Sequence, residues 1–364
     1  MELKKHPAEL FEKYKGHTKE NAVRCNLCAH YCVIEDGEEG ICLVRKNEGG
    51  KLITRTWGFV QGSAIDPVEK KPFYHFKPGS RAMSFGTPGC NFECANCQNR
   101  SLSGFFYDYK ARGDFQLVDI SLSKMNGVQP EQLIQSAIRH NVDGIAYTYS
   151  EPTIFFEFAH EIIKKARETE ETRHLYHCFI SNGYFSNELM DLIEEENLID
   201  AVNIDLKFMD DKKYRDVCGA HLKPVLNSIE RMAKIENIHL EVINLVIPGE
   251  NDTDDDLREL SEFLASVSKD IPLHFSRFHP QHEMSDIPAT PVATLKRAQE
   301  IAKEAGMKYI FVGNADIPKS QNTYCPNCGE LLIERMFYGL GRNVFQRQDN
   351  PECPNCSEKI NIVL

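Results

Sequence analysis

Cys90, Cys94 and Cys97 stand at the spacing C-x3-C-x2-C, behind the apolar run Met83-Ser-Phe85 and the turn Gly86-Thr-Pro-Gly89. A structural metal site is closed by four protein ligands, whereas a site that acts on something else keeps one position open. Three thiolates hold three corners of a four-iron cluster and leave the fourth iron for a substrate or cofactor. On these residues alone, a partial zinc site or redox thiols are the alternative.

The other cysteines widen the reading. Of 13 in a chain of 364 residues, four fall at Cys25, Cys28, Cys32 and Cys42 and four at Cys325, Cys328, Cys353 and Cys356. Cys178 and Cys218 stand alone in apolar contexts and read as small buried hydrophobes. The first residues lack an apolar leader and no run approaches a membrane span, so a cytoplasmic protein is expected, with thiols that bind metals rather than disulfides. The C-x2-C-x3-C-x9-C of the first group suffices for a closed site, with zinc and an auxiliary iron–sulfur cluster both open, and with His30 able to replace one thiolate. The paired C-x2-C knuckles of the last group, around Leu331-Leu-Ile333, read as a zinc ribbon, with mononuclear iron the lesser option. The formal net charge of −12 gathers in the middle of the chain, and no segment has the basic excess of a nonspecific nucleic-acid binder.

Parallel strands and their helices must position these residues. Apolar runs predict strands over Ala82–Phe85, Gly144–Tyr149, Leu175–Ile180, Ala201–Leu206, His239–Ile247, Leu273–Phe278 and Tyr309–Val312. Helical patterns fall between them, over Pro130–His140, Thr153–Glu168, Asn187–Glu195, Asp211–Val217, Leu222–Lys234, Asp254–Ser268 and Thr294–Ala305. Such alternation predicts an α/β fold that closes into a partial or complete (β/α) barrel, with chemistry at the C-terminal strand ends. Residues 76–316 form that barrel, 1–75 a small cysteine-rich metal-binding module, and 317–364 the ribbon. Three prolines between Asp66 and Gly79 make that linker irregular.

With Gly89 before it, the three-cysteine motif resembles the signature of the radical S-adenosylmethionine (SAM) enzymes, whose fourth iron is chelated by the methionine moiety of SAM. Later strand ends continue the resemblance. Ser150-Glu151-Pro152 fills the place of a Gly-Gly-Glu-Pro segment that contacts the SAM amino group, with the glycine lost, so that the backbone carries that contact. Ser181-Asn182-Gly183 resembles the ribose-contacting segment, Asp205-Leu-Lys207 an Asp-Leu-Lys of the same enzymes, and Val246 to Gly249 the segment beside the adenine. His279 closes the set. Asn96 stands where an aromatic residue is common, and Ile180 and Ser181 replace an acidic residue that helps bind a cation near Asp205. Single features of this kind end strands in many proteins; their order behind the cysteine motif carries the resemblance.

The resemblance is closest to the AmmeMemoRadiSam system enzymes, relatives of the pyruvate formate-lyase activating enzyme. It extends over Cys25-Asn-Leu-Cys28, Glu69-Lys-Lys-Pro72, Gly89-Cys-Asn-Phe92, Cys97-Gln-Asn99 and Thr323-Tyr-Cys-Pro-Asn-Cys-Gly329. It implies reductive cleavage of SAM at a [4Fe-4S] cluster, with a 5′-deoxyadenosyl radical abstracting hydrogen from a partner protein. Flavodoxin or ferredoxin is the implied electron donor, and Memo-like or AMMECR-like proteins are the implied partners. Radical modification of a small molecule, aided by an auxiliary cluster, is the second enzyme reading; a metal-binding scaffold without turnover is the third. The ribbon is expected to stabilise or dock without a part in SAM cleavage.

Overall fold

The computed structural model describes residues 5–16, 20–336, 338–347 and 350–364. They form two compact units: one takes in the chain to Ile65, Met83–Asp200 and Val217–Ala220, the other Asp66–Ala82, Ala201–Asp216 and His221–Leu364.

In the first unit the strand order is Gln61–Pro67, Arg81–Gly86, Gly144–Tyr147, Tyr176–Ser181. The last two are parallel, pairing Tyr176 with Gly144 and Phe179 with Tyr147. Both are wholly or nearly buried, which is why they read as unbroken apolar runs. Helix Pro130–Arg139 begins at the predicted proline with a capping box of Gln129 and Gln132. Thr153 opens not the α-helix expected there but a 3-10 turn, Pro152–Phe155, which leads into helix Phe156–Arg167. The linker is more regular than its prolines suggest: strand Gln61–Pro67 enters it and a 3-10 turn, Val68–Lys70, follows.

Before these strands lie two three-stranded antiparallel sheets, His6–Pro7 with Lys51–Thr54 and Arg45–Glu48, and Phe11–Lys13 with Val23–Cys25 and Val33–Ile34. An ion pair of two fully buried side chains, Arg45 and Glu157, ties them to helix Phe156–Arg167. Glu157 also accepts from Glu9 N at 2.8 Å, and Arg45 donates to Glu9 O at 2.8 Å. Those bonds offset part of the cost of burying two charges, while Arg45 Nε and Glu157 Oε2 stay without a hydrogen-bond partner.

The second unit carries strands Ala201–Asp205, His239–Val246, Leu273–Arg277 and Ile310–Gly313, each parallel to the next. Helix Asp254–Val267 starts at Thr253, whose hydroxyl accepts from Asp256 N at 3.1 Å, as its acidic first turn predicts. Buried Glu241 accepts from Tyr74 N at 3.0 Å and His75 N at 2.7 Å, and meets His239 at 3.1 Å and His274 at 2.6 Å. These partners hold its carboxyl below the usual range despite burial. The ribbon, strands Thr323–Tyr324, Leu331–Met336 and Gly339–Asn343, shares one core with the sheet: Leu332, Ile333 and Phe345 pack with Tyr74, Tyr309 and Phe311. Buried Arg335 lies over the Tyr74 ring and donates to Thr323 Oγ1 at 3.0 Å.

Cys325, Cys328, Cys353 and Cys356 bring their sulfurs within 4.8 Å of one another. Cys325 and Cys356 stand 3.5 Å apart, Cys328 and Cys353 3.6 Å. One tetrahedral ion bonded to sulfur at about 2.3 Å sets sulfurs about 3.8 Å apart, so the quartet fits a mononuclear metal.

Cys353→Ser is expected to release one mononuclear metal per chain and to lower the melting temperature by roughly 10 °C or more, read by metal analysis and calorimetry. His75 and His177 are buried neutral, each with its pKa pushed down to about 3 from 6.5 by burial. Below pH 6.5 the unfolded chain takes up protons that these imidazoles refuse while folded, so stability falls as pH drops; Glu241, with its depressed carboxyl, adds loss of the same sign lower down. The loss is on the order of 2 kcal/mol per imidazole at pH 5, and melting curves unchanged between pH 7 and 5 would contradict it.

Candidate active site

The three-cysteine loop starts one residue after Gly89, where φ is +105° and a Cβ would meet Val44 Cγ2 at 2.7 Å, so only glycine passes. Phe92 N donates to Cys90 Sγ at 3.4 Å, and Cys97 Sγ lies 3.0 Å from Ser103 Oγ. The Cys90 thiol is pushed far up by burial and then by the charges of Glu151, Cys94 and Cys97. Three thiolates at such a place require a bound cation. Around them, Thr87 Oγ1, Asn91 Nδ2 and Asn96 Oδ1 are buried without a protein partner. Unpaired buried polar atoms are rare, and here they offer both donors and acceptors to a polar ligand. The donor set therefore fits an iron–sulfur cluster completed by a polar molecule.

Glu151, at 2 % exposure, is the centre of the strand-end network. Its carboxylate accepts from Thr153 N at 3.1 Å, Thr153 Oγ1 at 2.6 Å, Ser181 Oγ at 2.7 Å and Asn182 N at 2.8 Å. Burial pushes its carboxyl up, against the pull of those four donors. The carboxylate joins the turn after Gly144–Tyr147 to the turn after Tyr176–Ser181, so what it gives the site is position. Asn182 then donates from Nδ2 to Asn91 Oδ1 at 2.7 Å, inside the cysteine loop. Ser150 donates to Thr87 O at 2.7 Å. The structure thus brings together Cys90, Glu151, Ser181 and Asn182, with Asn96 buried on the cysteine loop and Ser150 tied to the turn before it.

Asp205, Lys207, Val246 and His279 lie at strand ends of the second unit. Lys207 Nζ meets Asp205 Oδ2 at 2.8 Å, so the counter-charge of that carboxylate is a lysine. Val246 is buried, and its carbonyl accepts from Thr290 Oγ1 at 2.6 Å. His279 is exposed.

Four contributors carry no sequence signal of their own. Asn91 lies within the motif, yet only the fold sets it opposite Asn182. Tyr149 takes φ +66°, a left-handed conformation that costs a non-glycine residue about 1–3 kcal/mol, and its hydroxyl lies 3.0 Å from Ser84 Oγ. Tyr107 Oη donates to Ile41 O at 3.1 Å; burial first, then the thiolates of Cys42 and Cys90, push its pKa up. Asn251 donates to Lys207 O at 2.7 Å and Leu245 O at 2.9 Å, fastening two strand ends.

Residues 85–264 match the family model of the radical SAM superfamily. An uncharacterized protein of Methanocaldococcus jannaschii is 40% identical over 346 residues, 95% of this chain and 97% of that protein. The pyruvate formate-lyase 1-activating enzyme of Escherichia coli is 22% identical over 245 residues, 64% of this chain and 93% of that enzyme. The 4-hydroxyphenylacetate decarboxylase activating enzyme of Clostridium scatologenes is 29% identical over 137 residues, 37% of this chain and 42% of that enzyme. The parallel strands, the covering helices and the open three-cysteine loop agree with that match, and the chain belongs to the radical SAM superfamily, with its α/β partial-barrel fold and a C-terminal metal-binding module.

Proposed function

We propose that this chain cleaves SAM reductively and uses the product radical to abstract hydrogen from a partner protein, in the manner of an activating enzyme. The observation that carries this reading is the open three-cysteine loop, lined by unpaired buried polar atoms and held to the strand ends through Asn182 and Glu151. A [4Fe-4S] cluster on Cys90, Cys94 and Cys97 supplies the electron that breaks the sulfonium bond of SAM when bound. The chain's own residues bind, orient and exclude water: Asn96, Ser150, Ser181, Asn182, Asp205, Lys207, Val246 and His279 are the SAM contacts we assign, with Glu151 positioning Ser181 and Asn182.

The similarity to activating enzymes supports a protein substrate, a glycyl residue being the first choice, and a one-electron donor of the flavodoxin or ferredoxin class. Motifs from Cys25 to Gly329 support membership of the AmmeMemoRadiSam group, with Memo-like or AMMECR-like proteins as partners. Three modules, 1–75, 76–316 and 317–364, divide metal binding, catalysis and stabilisation in this reading, with zinc in the last. Among the described residues no helix is long and apolar enough to cross a membrane; a cytoplasmic location is part of the proposal.

Anaerobically reconstituted protein should release 5′-deoxyadenosine with a strong reductant, and Cys94→Ala should abolish both that release and the SAM-responsive cluster spectrum. Full cleavage by the variant would remove the catalytic assignment. Glu151→Gln sets an amide against donors that now face a carboxylate. Its SAM dissociation constant is expected to rise about tenfold, with the iron content held, because lost charge-assisted hydrogen bonds are worth about 1.5–3 kcal/mol. Unchanged SAM affinity would show that Ser181 and Asn182 keep their places without it.

A further inference from the structure

Cys25, Cys28, Cys32 and Cys42 differ from the ribbon quartet in one measurable respect. Among the described residues, the ribbon cysteines are the one group of potential metal ligands whose atoms meet within 4.8 Å. The first quartet does not draw together so tightly, and neither do Cys90, Cys94 and Cys97, whose family holds a multi-iron cluster. One zinc ion pulls four sulfurs onto a single centre, whereas a cluster puts several irons and bridging sulfides between them and holds the thiolates apart. The space for such a body is present. A cavity is lined by all four of these cysteines, with Ile34 and Ile154 in its wall. Ile41 N donates to Cys32 Sγ at 3.5 Å, and the buried Arg45 guanidinium donates to Cys25 Sγ at 3.4 Å.

Residues that border that cavity also touch the open cysteine loop. Ile154, in its wall, would also meet a Cβ on Gly89 at 3.3 Å, next to Cys90. Val44, two residues after Cys42, touches the same Gly89. His30, between Cys28 and Cys32, has Nε2 2.9 Å from Asn91 O, again next to Cys90. Tyr107 donates to the carbonyl of Ile41, which precedes Cys42. Each of the Val44 and His30 links lies within two residues of a cysteine on both sides, so direct protein contacts join the two cysteine groups.

We propose that Cys25, Cys28, Cys32 and Cys42 hold an iron–sulfur cluster, and that it relays single electrons to the site on Cys90, Cys94 and Cys97. A low-potential one-electron donor of the ferredoxin or flavodoxin class reduces this cluster by one electron and is itself oxidised by one. The same electron then moves inward, returning the relay to its oxidised state, with no bond made or broken and no proton taken up. The cluster assignment stands apart from the proposed SAM chemistry; the relay rests on it.

Metal analysis and Mössbauer spectroscopy of the full chain carrying Cys90→Ala, Cys94→Ala and Cys97→Ala test the first half. The expected result is about two to four irons per chain as one cluster, reducible by dithionite to a paramagnetic state. Zinc in the N-terminal site and no bound iron would overturn it. For the second half, a Cys28→Ser, Cys42→Ser variant is compared with the parent chain for 5′-deoxyadenosine release, driven by reduced flavodoxin or by titanium(III) citrate. The flavodoxin-driven rate should fall about tenfold relative to the citrate-driven rate. An equal change with both reductants would overturn the relay. A parent chain that keeps the second cluster but releases no 5′-deoxyadenosine with either would overturn the SAM reading and the relay together, leaving the cluster standing.

Discussion

A buried carboxylate with four donors around it governs the first unit. Glu151 would be costly to bury alone, and Thr153, Ser181 and Asn182 repay that cost by satisfying it from two successive strand ends. Once those ends are fixed, Asn182 meets Asn91, and the cysteine loop is fixed to them in turn. Beyond Asn182 the chain turns into Tyr184, whose ring packs against Phe92 at 5.2 Å and His30 at 4.6 Å between centroids. Ser186 closes the path, donating to Asn26 O at 2.6 Å while capping helix Asn187–Glu195 through Leu189 N. One carboxylate thus sits at the root of a chain of contacts that reaches both cysteine groups of the unit.

Glu241 plays the same physical part in the second unit, with a structural outcome. It draws Tyr74 and His75 against strands His239–Val246 and Leu273–Arg277. His75 then meets Asn361 O at 2.8 Å and Thr323 Oγ1 at 3.1 Å, and Val363 N donates back to His75 O at 2.8 Å. The ribbon is therefore woven into this unit's core. Cutting the chain near residue 316 would uncover Tyr74, Tyr309 and Phe311 and leave Glu69 without its partner Arg335. This packing fits the stabilising role expected of the ribbon.

Legibility in the sequence followed burial. Strands such as Gly144–Tyr147 and Ala201–Asp205 are covered on both faces and read as apolar runs, and their helices announce themselves through Pro130 and Thr253. The helices Arg100–Ser103, Phe105–Ala111 and Val118–Ser123 gave no such signal. Gly104 and Gly113 interrupt them, and each is too short for a 3.6-residue period to establish itself. At the site, residue types and order were legible, but not the partners. Glu151 reads as a ligand contact because it ends a strand; that its oxygens are occupied by Ser181, Asn182 and Thr153 depends on residues two to 31 positions away meeting in space.

The spacing of the sulfurs shows the same boundary between sequence and fold. C-x2-C pairs occur in the first and last cysteine groups alike, and ligand spacing along the chain does not fix the distance between sulfurs. That distance is set by what the intervening chain packs against. In the ribbon, hairpin turns bring the knuckles face to face, and Leu332 and Ile333 fill the core behind them, so the sulfurs close on a single point. In the N-terminal module, Arg45 and Glu157 hold Cys25 from one side while the bridge between Cys28 and Phe185 holds that cysteine to the turn beyond Asn182. Pulled toward different anchors, these thiols stand around a cavity instead of meeting in it. The anchors that keep the cavity open also fasten it beside the open cysteine loop, so its size and its place arise from one set of contacts.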